Sequence, residues 1–179
     1  MTSTAPATIR PDSSEFAPYY ERYISLVEKG DIVRTLEKQI ADTVSLLSGV
    51  SEHHGDHRYA PDKWSVKQIV GHLTDAERIF GYRALRIARA DKTPMEGFEQ
   101  DDYVRTGGFE GRKLSALVEE FAAARKATVL LLRGFEPEAW LRRGVANNNE
   151  ISVRALAYIT AGHELHHRSV LKEKYLAQA

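Results

Sequence analysis

The chain has 179 residues, with 25 lysines and arginines against 25 aspartates and glutamates, seven histidines and no cysteine. That length suits one domain with a core that needs no staple, and a zero net charge offers no general field to nucleic acid or to an anionic membrane. Without cysteine there is no disulfide, zinc–thiolate site, iron–sulfur cluster or cysteine nucleophile, so any metal must be held by His, Asp and Glu.

Residues 1–14 are rich in Ser, Thr, Pro and Ala and read as a flexible tail. They lack the apolar core of a secretion signal, and no stretch of the chain reaches the roughly 18 apolar residues of a membrane span. A cytoplasmic protein with one domain over 15–179 is the expectation. Residues 15–29 predict a short amphipathic helix closed by Gly30. Asp31 is an N-cap for the next helix, whose Val33, Leu36, Ile40, Val44 and Leu47 recur at helical spacing up to Gly49. Ser65 and Gln68 form a capping box, with Trp64 and Ile69 as its hydrophobic staple, and open a long helix reaching about Arg89. Residues 91–111 read as a long irregular connection. A further helix runs from about Lys113 to Arg133, stopped by Gly134, and a polar connection ends at Asn147-Asn148-Asn149. Ser152 caps the last helix, with Ile151 and Leu156 as staple, which continues to about Tyr175. No segment alternates with period two, so no sheet is expected. Four long amphipathic helices predict an all-α four-helix bundle with a short extra N-terminal helix, its path either plain up-down or with one long crossover.

The histidines carry the chemistry. At about 100° per residue, His163 and His167 fall mid-face on the inward side of the last helix, one turn apart, where both nitrogens can reach one ion. His166 lies on the flank. On the long helix from Ser65, His72 sits on one edge with Ile79 and Arg83. Three imidazoles from two helices would form a three-nitrogen metal site with a position left for water or substrate. The competing reading of any one of them is a hydrogen-bonded core residue. His53, His54 and His57 lie in a polar stretch and read as a surface loop. Asp75, one turn after His72, is a candidate to orient its ring, against the reading in which Asp75, Glu77 and Arg78 are a solvated face. Arg83 is a candidate contact for an anionic substrate. The segment His163–His167 is not taken as a metalloprotease signature, and no nucleotide-binding or serine-hydrolase motif is present.

The stretches YAPDKWSVKQIVGHLTDAERIFGYRALRIARADKTPMEGFEQDDYV and SVRALAYITAGHELHHRSVLKEKYL closely resemble the DinB-like (DinB/YfiT) superfamily, over nearly the whole chain from about Pro18. The resemblance implies an up-down-down-up bundle with its long crossover between the second and third helices. It also implies a divalent metal (nickel, zinc, iron or manganese) held by His72, His163 and His167. Members look like metal-dependent hydrolases or like transferases and isomerases using a low-molecular-weight thiol (bacillithiol, mycothiol or glutathione), and are frequently homodimers. The resulting expectation is a metal-dependent enzyme acting on a small electrophile, with Asp75 and Arg83 near the ligands and no nucleic-acid or membrane partner. Its rival is a non-catalytic, stress-related metal-binding or structural dimer.

Overall fold

The computed structural model describes residues 6–177. Asp12, Ser13, Ser14 and Glu15 form a capped 3-10 turn, and Pro18–Tyr20 a second, leading into α1 (Glu21–Ile24). The helix expected over 15–29 is therefore broken. Phe16 and Ala17 are extended, as the residue before a proline prefers, and Pro18 begins the new turn. The first five residues of the expected tail lie outside the described residues. The rest of it is pinned: Arg143 donates to the Ser14 carbonyl at 2.9 Å, and buried Glu15 accepts from Ser152 at 2.7 Å and pairs with Arg154.

α2 (Ile32–Ser48) starts where Asp31 accepts from the amides of Val33 and Arg34, and it ends at Gly49. α3 (Glu52–Gly55) is a single turn capped by Ser51, so His53 and His54 are helical and not in a loop. α4 (Val66–Ala88) has the Ser65–Gln68 capping box. The connection after it is less irregular than expected, for it contains α5 (Gln100–Thr106) and a 3-10 turn at Phe109–Gly111. α6 (Leu114–Arg133) and α7 (Pro137–Trp140) follow. β1 (Arg143–Ala146) and β2 (Asn149–Ser152) then form an antiparallel hairpin, pairing Gly144 with Ile151 and Val145 with Glu150. This corrects the expectation of no sheet. Four-residue strands are too short to show an alternation, and the signal lay in the turn, where Asn147 and Asn148 both take positive φ (49° and 59°) as a tight hairpin requires. α8 (Val153–Val170), capped by Ser152, runs on as a π-helical turn through Tyr175.

The bundle consists of α2, α4, α6 and α8. α2 packs against α6 and α8, and so does α4, which leaves α2 diagonal to α4 and α6 diagonal to α8. Side-chain pairs give the directions. Gln39 meets Ala161 and Thr43 meets Glu164, so α2 and α8 are parallel. Glu77 meets Arg125, and Gly81 lies against Thr128, so α4 and α6 are parallel. Phe80 packs on His163 while His72 lies against His167, so α4 opposes α8. The path is up-down-down-up, with the crossover between α4 and α6. Two apolar cores fill it. One spans Ile32, Leu36, Phe80, Ile87, Leu132 and Leu156; the other spans Leu47, Val70, Leu73, Leu117, Phe121 and Leu171. Between them lies a polar layer, and the candidate site is in it. No helix is long and apolar enough to cross a membrane.

Candidate metal centre

The two caps set the register of the site. Ser65 fixes the start of α4 and brings His72 two turns in; Ser152 fixes α8 and brings His163 and His167 to the same level from the opposite direction. The Nε2 atoms of His72 and His163 are 3.0 Å apart, and those of His163 and His167 are 3.2 Å apart. The three residues place one ligand nitrogen each within 4.8 Å of one another. Imidazole nitrogens held about 2.0–2.1 Å from one ion stand about 3 Å apart, so this donor set fits a divalent metal.

The electrostatics agree. Burial pulls His72 down to about 4. Burial, reinforced by the neighbouring imidazoles, holds His163 and His167 well below the ordinary histidine value. All three are neutral at pH 7, which is the ligating form.

Close approach of the backbone walls one side. A Cβ on Gly162 would stand 2.0 Å from the Tyr23 carbonyl oxygen, so only glycine there lets the N-terminal segment lie on α8. That contact puts the Tyr23 ring edge-on to His163, with centroids 5.4 Å apart. Beyond lies a cavity of about 330 Å³ lined by Tyr20, Tyr23, His72, Phe80, Arg83 and His163, with Phe98 and Asn147 from the crossover and the hairpin turn. On the other side Trp64 stacks on His167 and tilts against His72, next to a second opening reached by His166 and Lys63. Trp64 thus walls the site besides leading into the helix.

Asp75 does not orient His72. It is half-buried, its ion-pair partner is Arg78 at 4.0 Å, and no hydrogen bond to His72 is formed among the described residues. Arg83 does line the cavity and donates to the Glu96 carbonyl at 2.8 Å. His166 is exposed, in keeping with a flank position. His54 bonds the Tyr175 carbonyl at 2.8 Å and stacks on His57, and neither belongs to the three-histidine group.

Behind the histidines is an ionic layer that sequence reasoning missed. Arg125 donates Nε and Nη2 to Glu77, both at 2.8 Å, and Nη1 to Glu164 at 2.5 Å. Glu164 also accepts from Thr43 at 2.6 Å. Arg125 and Glu164 are 1 % exposed and Glu77 2 %, so Glu77 is no part of a solvated face. One signal was available: Arg125 falls four residues after Phe121 and four before Val129, on the apolar stripe of its helix. The same layer settles the metalloprotease question. His163-Glu164-Leu165-His166-His167 has the HExxH spacing, contrary to the sequence expectation, but Glu164 spends its oxygens on Arg125 and Thr43. It is not free to act as a general base toward the cavity.

Three comparisons place this geometry among known proteins. A family model described as the DinB superfamily matches residues 35–171. A search of curated proteins found no match. Among solved structures, YfiT from Bacillus subtilis superposes with a TM-score of 0.75 over 98 % of both chains at 15 % identity. It is described as a probable metal-dependent hydrolase with an unusual four-helix bundle topology. At that identity the likeness is one of fold.

Proposed function

The chain belongs to the DinB superfamily, and from that premise we propose that it is a cytoplasmic metal-dependent enzyme, a hydrolase or a thiol-dependent transferase, with His72, His163 and His167 as its ligands. One observation carries this reading: three neutral imidazoles converge on one point, and two of them, His72 and His163, line a cavity large enough for a small substrate. A divalent ion held by His72, His163 and His167 would supply Lewis acidity and lower the pKa of a water or thiol nucleophile toward neutral pH. The chain's own groups do the rest. The imidazoles bring no negative charge and no carboxylate joins them among the described residues, so the position they leave open favours an anionic ligand. Tyr23 and Phe80 pack on His163 and exclude water from it, which strengthens every electrostatic interaction there. With no cysteine in the chain, a sulfur nucleophile would arrive as a small external thiol. A homodimer is part of the same proposal and is tested by sedimentation velocity.

The test begins with metal analysis of untagged protein beside His163→Ala. The expected result is near-stoichiometric metal in the parent and its loss in the variant; a metal-free parent ends the reading. The metal-loaded protein is then assayed on a panel of small esters, amides and alkylating electrophiles, with and without thiols. Turnover that disappears with the metal supports the proposal. No turnover, with metal affecting thermal stability only, supports a structural site instead.

A further inference from the structure

Two arginines are buried among the described residues: Arg125, 1 % exposed, and Arg83, 4 % exposed. Arg125 sits between two carboxylates. Arg83 has none. Its guanidinium donates to the Glu96 carbonyl and faces the Tyr20 hydroxyl, and burial is not offset by any acidic group. A buried cation is costly unless an anion neutralises it.

The place of Arg83 says where that anion comes from. Arg83 lines the same cavity as His72 and His163. Phe80, three residues earlier on α4, packs edge-on against His163 at 5.8 Å, so Arg83 is attached about 5 Å further along the helix axis. The other charged residue on the cavity, Glu99, is exposed at its rim. Tyr19, Tyr20, Tyr23, Phe80 and Phe98 give the wall an aromatic part, and Gln100, Asn147 and Asn149 add uncharged polar groups.

On the reading of the three histidines as the reacting end of the cavity, on which this rests, we propose that the substrate is a small organic carboxylate with an apolar or aromatic body, its carboxylate paired with Arg83 and its far end presented to the histidines. Of five guanidinium N–H donors, Glu96 takes one through Nη2, and donors remain for a carboxylate oxygen. A single arginine, with no lysine beside it on the cavity, matches one negative charge better than a phosphate dianion.

The test is calorimetric titration of the full chain, metal-loaded and metal-stripped, with phenylacetate, phenylacetamide and inorganic phosphate. Wild type is expected to bind phenylacetate about tenfold more tightly than phenylacetamide in both forms. Arg83→Gln is expected to erase that preference at unchanged metal content, and Arg83→Lys to keep part of it. The proposal is overturned if acid and amide bind alike, if phenylacetate shows no binding up to about 10 mM, if phosphate binds more tightly, if the preference vanishes with the metal, or if Arg83→Gln retains it. Should Arg83→Gln not fold, the wild-type acid–amide comparison and Arg83→Lys decide. Because the metal-stripped arm needs no ion, failure of the metal reading and failure of the anion subsite give different results.

Discussion

Replacing Arg125 with methionine removes the positive charge from the centre of the bundle while keeping much of the side-chain volume. Glu77 and Glu164 then remain buried, facing a space that held three guanidinium nitrogens at 2.5–2.8 Å. Removing one partner of a fully buried ion pair costs about 3–5 kcal/mol, because the uncompensated charge has lost its solvent as well. With a slope of about 2 kcal/mol per molar urea, the unfolding midpoint should fall by about 2 M. In the wild type, burial opposes the charge on Arg125, but the two carboxylates outweigh it and hold its pKa above the ordinary value. Substituting Glu77→Leu and Glu164→Gln as well should restore most of the stability, since the cost lies in stranded charge and not in lost attraction. Urea titrations of the three proteins at pH 7 measure this. A loss below about 1 kcal/mol in Arg125→Met, or no recovery in the triple variant, would refute the reasoning.

Two further predictions follow from the site. Gly162→Ala puts a methyl group onto the Tyr23 carbonyl, and backbone cannot yield as a flexible side chain does. A cost of about 1–3 kcal/mol is expected, together with a loss of quenching or shift in tyrosine fluorescence as the N-terminal segment lifts from α8; an unchanged melting temperature would contradict the contact. The metal-free protein should lose stability as pH falls from about 6.5 toward about 4, since His72 is held neutral by burial at a folded value of about 4. The sign follows from linkage: the unfolded chain binds the proton first, so the contribution is present above the unfolded value and is lost through that window, amounting to about 3 kcal/mol for this residue. Thermal melts across that range check it, and flat stability would count against a buried neutral His72.

The long elements were legible in the sequence because local chemistry determines them. Asp31, Ser65 and Ser152 cap the helices they were expected to cap, and Gly49 and Gly134 end theirs. The histidine cluster was legible too, since helical spacing puts His163 and His167 on one face and only His72 answers them across the bundle. What escaped was set by tertiary contact. The Glu77–Arg125–Glu164 layer joins residues 39 and 48 positions apart, and each charge taken alone reads as a surface residue. The break at Pro18 was visible locally but was outweighed by the apolar spacing around it. The hairpin after Arg143 was hidden because its strands are too short to reveal a period, and the pinning of residues 12–15 depends on Arg143, Ser152 and Arg154, far away in sequence. Walls such as Tyr23 and Trp64 likewise acquire their role only once the histidines have been brought beneath them.

At the centre of the proposed site three histidines hold one ion with room left beside it. X-ray absorption on the zinc-loaded, untagged protein tests that most directly. The prediction is three imidazole nitrogens at about 2.0–2.1 Å plus at least one exchangeable light-atom ligand, with the imidazole scattering reduced in His72→Ala. A spectrum with fewer than three imidazoles, or one left unchanged by His72→Ala, would contradict it.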